Sequence, residues 1–148
     1  MKLKYQAEID ALNLSIQCPC DVQPITQEVE VFRFSLSPID HEHNCLPNVV
    51  YDRKIGGKYP YSTPGRDLEK CGRCGASFYY NLALAIEAWK NLPPQRREKL
   101  KYTHLGRGVI SPGDGLIGEP DSTTHFNFYE AEMEDENYLK KKFELIPL

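Results

Sequence analysis

The chain has 148 residues, 41% hydrophobic and 26% charged, which places it among globular domains and excludes a disordered chain. No run approaches ~18 consecutive apolar residues, so no membrane span is predicted, and the first residues lack the apolar stretch of a secretory signal. The net charge of -3 is unevenly distributed: residues 1–51 carry -4, residues 52–107 carry +7 and residues 108–148 carry -6. A chain of this size can bury its own core, so one domain over residues 1–148 is expected, in the reducing cytoplasm, where close cysteine pairs serve as metal ligands more often than as disulfides.

Alternation of apolar and polar residues predicts strands over Leu3–Ile9 and Leu12–Cys18 and a third over Glu28–Leu36, stopped by Pro38. Residues 38–75 read as a long irregular excursion punctuated by proline and glycine, with a short strand at Asn48–Lys54. Phe78, Leu82, Ile86 and Trp89 recur at helical spacing, which predicts a helix over about 77–92, capped by Ser77, ended by Pro93-Pro94 and buried on more than one side. A second short helix follows over Pro94–Lys101. Strands at Gly108–Ser111 and Leu116–Gly118 flank the turn-rich Pro112–Gly115, and Thr123–Ala131 alternates cleanly. Tyr138–Pro147 carries no decisive pattern. The expected class is α+β: a mostly antiparallel sheet packed on one buried helix.

Cysteine chemistry gives the sharpest site expectation. Cys71-Gly72-Arg73-Cys74-Gly75 has the spacing of a loop that wraps two thiolates round one zinc ion, with Arg73 favouring the thiolate form. A sulfur pair at the head of a helix resembles the local arrangement of treble-clef and ribbon sites. Cys18-Pro19-Cys20 would place two more sulfurs on one strand face and complete a closed structural site with Cys71 and Cys74. His41, His43 and Cys45 are alternative ligands, either closing that site or forming an open, catalytic one with Glu42 or Asp52 as base.

Two further segments carry polar groups. Tyr102–Gly108 combines an imidazole, an arginine and glycines, but reads as a connection. Asp121–His125 offers a carboxylate, hydroxyls and an imidazole, yet neighbours on one strand rarely supply a nucleophile with its base, so His125 is read as a polar residue on the less buried face. No Gly-rich loop ends in Lys-Ser or Lys-Thr, so no phosphate-cradling site is predicted. Tyr51, Arg53, Lys54, Tyr59, Tyr61, Arg66, Arg96 and Arg97 form a basic, tyrosine-bearing stretch suited to a protein partner. The sequence therefore predicts a zinc-stabilised interaction protein, such as an adaptor, regulator or inhibitor. The alternatives are a metal-dependent hydrolase at His41, His43 and Cys45, and a nucleic-acid-binding module.

Overall fold

The computed structural model describes residues 1–57 and 66–148. Within them the chain is α+β, with five α-helices and a seven-stranded sheet. The strands are β1 (Val22–Pro24), β2 (Val29–Ser35), β3 (Ala76–Tyr79), β4 (His104–Ile110), β5 (Gly115–Gly118), β6 (His125–Glu130) and β7 (Phe143–Pro147), and the helices are α1 (Gln6–Ala11), α2 (Asn48–Lys54), α3 (Asp67–Arg73), α4 (Leu82–Asn91) and α5 (Pro94–Leu100). The sheet order is β1-β5-β6-β3-β2-β4-β7, every neighbouring pair antiparallel. None of the helices is long and apolar enough to cross a membrane.

Period two sorts the side chains onto two faces. On one face Val31, Phe78, Ile110, Phe126, Phe128 and Phe143 form the main core, covered by Ile25, Cys45 and Leu139. Phe78 stacks on Phe128 at 4.8 Å between centroids and meets Phe126 and Phe143 edge-on. The other face carries Phe32, Tyr79 and Leu105, against which Ala85, Leu82 and Ile86 of α4 lie. A further cluster joins α1 and α2 through Leu3, Ile9, Val49, Val50 and Tyr51. Gly115 is required where β5 meets β6: a Cβ there would lie 2.3 Å from the Tyr129 carbonyl oxygen.

Several elements differ from the sequence expectation, each for a local reason. The expected strands over Leu3–Ile9 and Leu12–Cys18 do not form. Gln6–Ala11 is helix instead, because Tyr5, Ile9 and Leu12 also satisfy the spacing of one helix face, and all three join one cluster. Leu3 contributes only an isolated bridge to Ala131. Asn48–Lys54 is α2 rather than a strand; Pro47 precedes it, and Val49 and Val50 are buried on its inner side. The excursion also contains α3, where an irregular segment is expected from the sequence.

The helix expected over 77–92 divides. Ala76–Tyr79 is strand, consistent with the β preference of Phe78 and Tyr79, and α4 starts only at Leu82, where the Asn81 side chain accepts the Leu84 N–H at 3.0 Å. Ser77 is therefore a strand residue and not a cap. Ala85 is the one buried residue of α4, so the helix is not enclosed on several sides. The α5 expectation matches to within one residue. β4 and β5 flank the turn as expected but do not pair with each other: β4 pairs with β2 and β7, β5 with β1 and β6.

A basic cleft with a serine–histidine contact as the candidate functional site

Cys71 and Cys74 lie one turn apart at the end of α3, ahead of a strand rather than a helix. Cys18 is disulfide-bonded to Cys71 with Cα atoms 5.7 Å apart, while Cys20, Cys45 and Cys74 are free. The Tyr129 hydroxyl donates to the Cys71 carbonyl at 3.1 Å and sits 3.8 Å from the Cys71 sulfur. Burial first, then the neighbouring Cys74 and Cys20, pushes the Tyr129 phenol upward. Cys18, Cys20, Cys71 and Cys74 thus gather around one tyrosine, but two of the four sulfurs are bonded to each other. The Cys74 thiol, 2% exposed, is pushed up to about 11, mainly by burial, so it stays protonated at neutral pH.

His41 and His43 lie with ring centroids 5.0 Å apart, and the His43 backbone N–H donates to His41 Nδ1. Cys45 points into the phenylalanine core, where burial raises its thiol pKa. These three residues do not converge on one point. Among the described residues no group of three or more His, Cys, Asp or Glu is arranged to hold a metal ion.

A cleft among the described residues lies elsewhere. β2 and β3 share a single register pair, Phe32 with Tyr79, so they diverge beyond it. α2 enters that gap: the Asn48 N–H donates to the Gly75 carbonyl at 3.1 Å and its side-chain Nδ2 to Ser77 Oγ at 2.8 Å. The result is a cleft of about 1090 Å³ between β2, β3, β6, α2, α3 and the α5 region. Arg33, Arg73, Arg96 and Lys99 line it, opposed by Asp52 and Glu69, and the aromatic walls are Phe34, Tyr51, Tyr79 and Tyr102.

Arg33 is the unusual member. It is 3% exposed, yet its Nη1 is buried without a hydrogen-bond partner among the described residues. Leaving a charged donor unpaired costs free energy that a bound acceptor would recover. Its guanidinium lies 5.6 Å from the Phe78 ring centroid, which offsets part of that cost.

Ser77, His125 and Asn127 share the cleft floor because β3 and β6 pair Ser77 with Asn127 and Tyr79 with His125. His125 Nε2 is 3.0 Å from Ser77 Oγ, and Nδ1 is 3.7 Å from Asp121 Oδ2. Asp121 Oδ1 is fixed by the Thr123 N–H at 2.8 Å, the Thr123 hydroxyl at 2.6 Å and the His125 N–H at 3.1 Å. Burial opposes ionisation of Asp121, but these hydrogen bonds outweigh it and hold the carboxyl below its usual range. Burial lowers the His125 pKa, with Asp121 pulling the other way, so the imidazole is neutral at pH 7.

The residues expected at a partner surface divide. Arg96 lines the cleft. Tyr51 lines it too, but is only 3% exposed: it stacks on Tyr102 at 4.8 Å and its hydroxyl donates to the Leu100 carbonyl, so it is a fixed wall and not a free anchor. Arg53 pairs with Glu8 at 2.5 Å and Arg66 with Glu69 at 3.5 Å. Lys54 is exposed at the end of α2, whereas Arg97 is half-buried with its Nε unpartnered among the described residues. Tyr59 and Tyr61 lie outside the described residues. Sequence reasoning missed Arg33, Asn48 and the Ser77–His125 contact.

No protein-family model, curated protein or solved structure matches this chain.

Proposed function

We propose that the chain is an interaction protein, an adaptor, regulator or inhibitor, that receives an acidic segment of another protein in the cleft. The observation that carries this reading is Arg33, a buried guanidinium with an unpartnered Nη1 lining a cleft that also bears Arg73, Arg96 and Lys99. A carboxylate suits such a site, because it accepts from a guanidinium in the geometry that pairs best. Tyrosine walls favour a protein over a small ion, since they add rigid contact area at low entropic cost. The test is quantitative affinity capture from the native host with wild type and an Arg96→Glu/Lys99→Glu double variant. The reading predicts a discrete protein retained by the wild type and lost with the variant, and capture that weakens as salt rises. Capture of nucleic acid, or an identical set of proteins from both, overturns it.

Zinc is a second part of the proposal. The support is the gathering of four sulfurs on two segments around Tyr129. With Cys18 and Cys71 bonded to each other the set cannot close round a metal; with that bond reduced it offers the four-thiolate donor set that zinc prefers. The zinc-bound form and a cytoplasmic location stand together, as do the disulfide form and an oxidising compartment. Intact mass and elemental analysis of protein purified under reductant separate the two: one zinc per chain, lost in Cys74→Ser, supports the metal, whereas no zinc in the reduced protein ends that part.

A further inference from the structure

We propose that Ser77, His125 and Asp121 form a nucleophilic relay on the cleft floor, able to cleave a carboxylic ester. Asn48, Ser77 and His125 make one hydrogen-bonded chain, which the Asp121 carboxylate extends through its charge, its Oδ2 standing beyond hydrogen-bond distance of His125 Nδ1. Asn48 Nδ2 donates to Ser77 Oγ at 2.8 Å, Ser77 Oγ lies 3.0 Å from His125 Nε2, and His125 Nδ1 faces Asp121 Oδ2 at 3.7 Å. Because Asn48 supplies only a donor, it occupies a Ser77 lone pair and leaves the hydroxyl hydrogen for the imidazole. Asp121 in turn favours the tautomer with hydrogen on Nδ1, which leaves Nε2 as the acceptor. Nucleophile, base and orienter therefore come from two adjacent strands and the turn before β6.

The step balances as follows. Ser77 Oγ bonds to the acyl carbon while its proton passes to His125 Nε2, and the carbonyl π pair moves onto oxygen. That pair returns as the bond to the leaving alkoxide breaks, and the alkoxide takes the proton from His125. Water then attacks the acyl-serine, giving its proton to His125, and Ser77 leaves with that proton restored. The products are a carboxylic acid and an alcohol, with no oxidant or reductant involved. Arg33, Arg96 and Lys99 line the same cleft, so the ester class that fits carries a carboxylate of its own.

This inference does not rest on the protein-binding reading, because its test needs no partner. Purified wild-type protein is treated with a fluorophosphonate probe, and the adduct is read by intact mass and peptide mapping. The expected result is one phosphonyl group per chain, on Ser77, and none on Ser77→Ala. In His125→Ala the labelling rate should fall on the order of 100-fold. Circular dichroism and melting of both variants establish that they fold. Hydrolysis of a succinyl phenyl ester, lost in Ser77→Ala, would extend the labelling to turnover. No adduct on folded wild type, an equal adduct on Ser77→Ala, or an unchanged rate in folded His125→Ala would overturn the proposal. Labelling that persists when partner capture is lost, or the reverse, tells the failure of one reading from that of the other.

Discussion

β3 and β6 show two opposite surfaces built from the same ten residues. One side presents Ala76, Phe78, Phe126 and Phe128 to a core from which water is excluded. The other presents Ser77, Tyr79, His125 and Asn127; Ser77 and His125 hydrogen-bond across the cleft floor, and the Tyr79 ring meets His125 edge-on. Alternation guarantees two faces but does not require the second to be polar, since α4 could have covered it as it covers Phe32 and Leu105. It is left open because β2 and β3 part after one register pair and α2 enters with Asn48. The first face builds the core, whereas the second leaves polar side chains at the floor of the cleft.

That contrast can be broken by mutation. Phe78→Ala should have the largest effect, removing a fully buried ring from the centre of the core at a cost of about 3–5 kcal/mol by denaturant unfolding. A loss under ~1 kcal/mol would mean that the phenylalanine face is not the core. Arg33→Met should behave in the opposite way. It removes a buried charge with an unpartnered nitrogen and keeps an unbranched chain, so stability should shift by no more than about 1 kcal/mol in either direction, while partner capture through the cleft falls. A large destabilisation would make Arg33 a structural residue.

A pH series sharpens the comparison. His125 has a folded pKa lowered by burial, so between that value and its ordinary value near 6.5 the unfolded chain binds more protons than the folded one. The contribution of His125 to stability is then fully present above pH ~6.5 and is lost as pH falls through the depressed value. Because the side chain is 28% exposed, solvent limits the size of the effect. Melting temperature should drop more from pH 7 to pH 5 in wild type than in His125→Gln, and equal drops would remove His125 from the account. The smallest effect belongs to Arg107→Ala. Its pair with Glu144 crosses β4 and β7 with both side chains well exposed and screened by solvent, so the denaturant midpoint should not move measurably, and a clear shift would make this surface pair structural.

How much of this was legible in the sequence depended on how many partners a pattern admits. β2 and β6 could be read because their alternation runs long enough to exclude a helix, and α5 because Pro93 and Pro94 mark its start. The first eighteen residues misled because Tyr5, Ile9 and Leu12 satisfy both periods, and only burial against α2 chooses between them. Phe78 likewise fits a helical series with Leu82 and Ile86; Asn81, the true cap, breaks that series by starting α4 only at Leu82, four residues after Phe78. The sequence offers Cys18 and Cys71 as ligands of one metal, and their direct bond is not legible in it. The cleft was illegible for a different reason. Ser77 and His125 are far apart in sequence and meet only through the β3–β6 register, and Arg33 is marked by a missing partner, which no sequence pattern displays.

The central claim is that recognition happens in the cleft opened between β2 and β3. The most direct measurement places a photo-crosslinking amino acid at position 99, on the cleft wall, and in a second protein at position 109, an exposed β4 site that does not line the cleft. Both are irradiated in the native host and resolved by mass. The account predicts a discrete protein adduct from position 99 that position 109 does not form. The same adducts from both positions, or an adduct from position 109 alone, would contradict it.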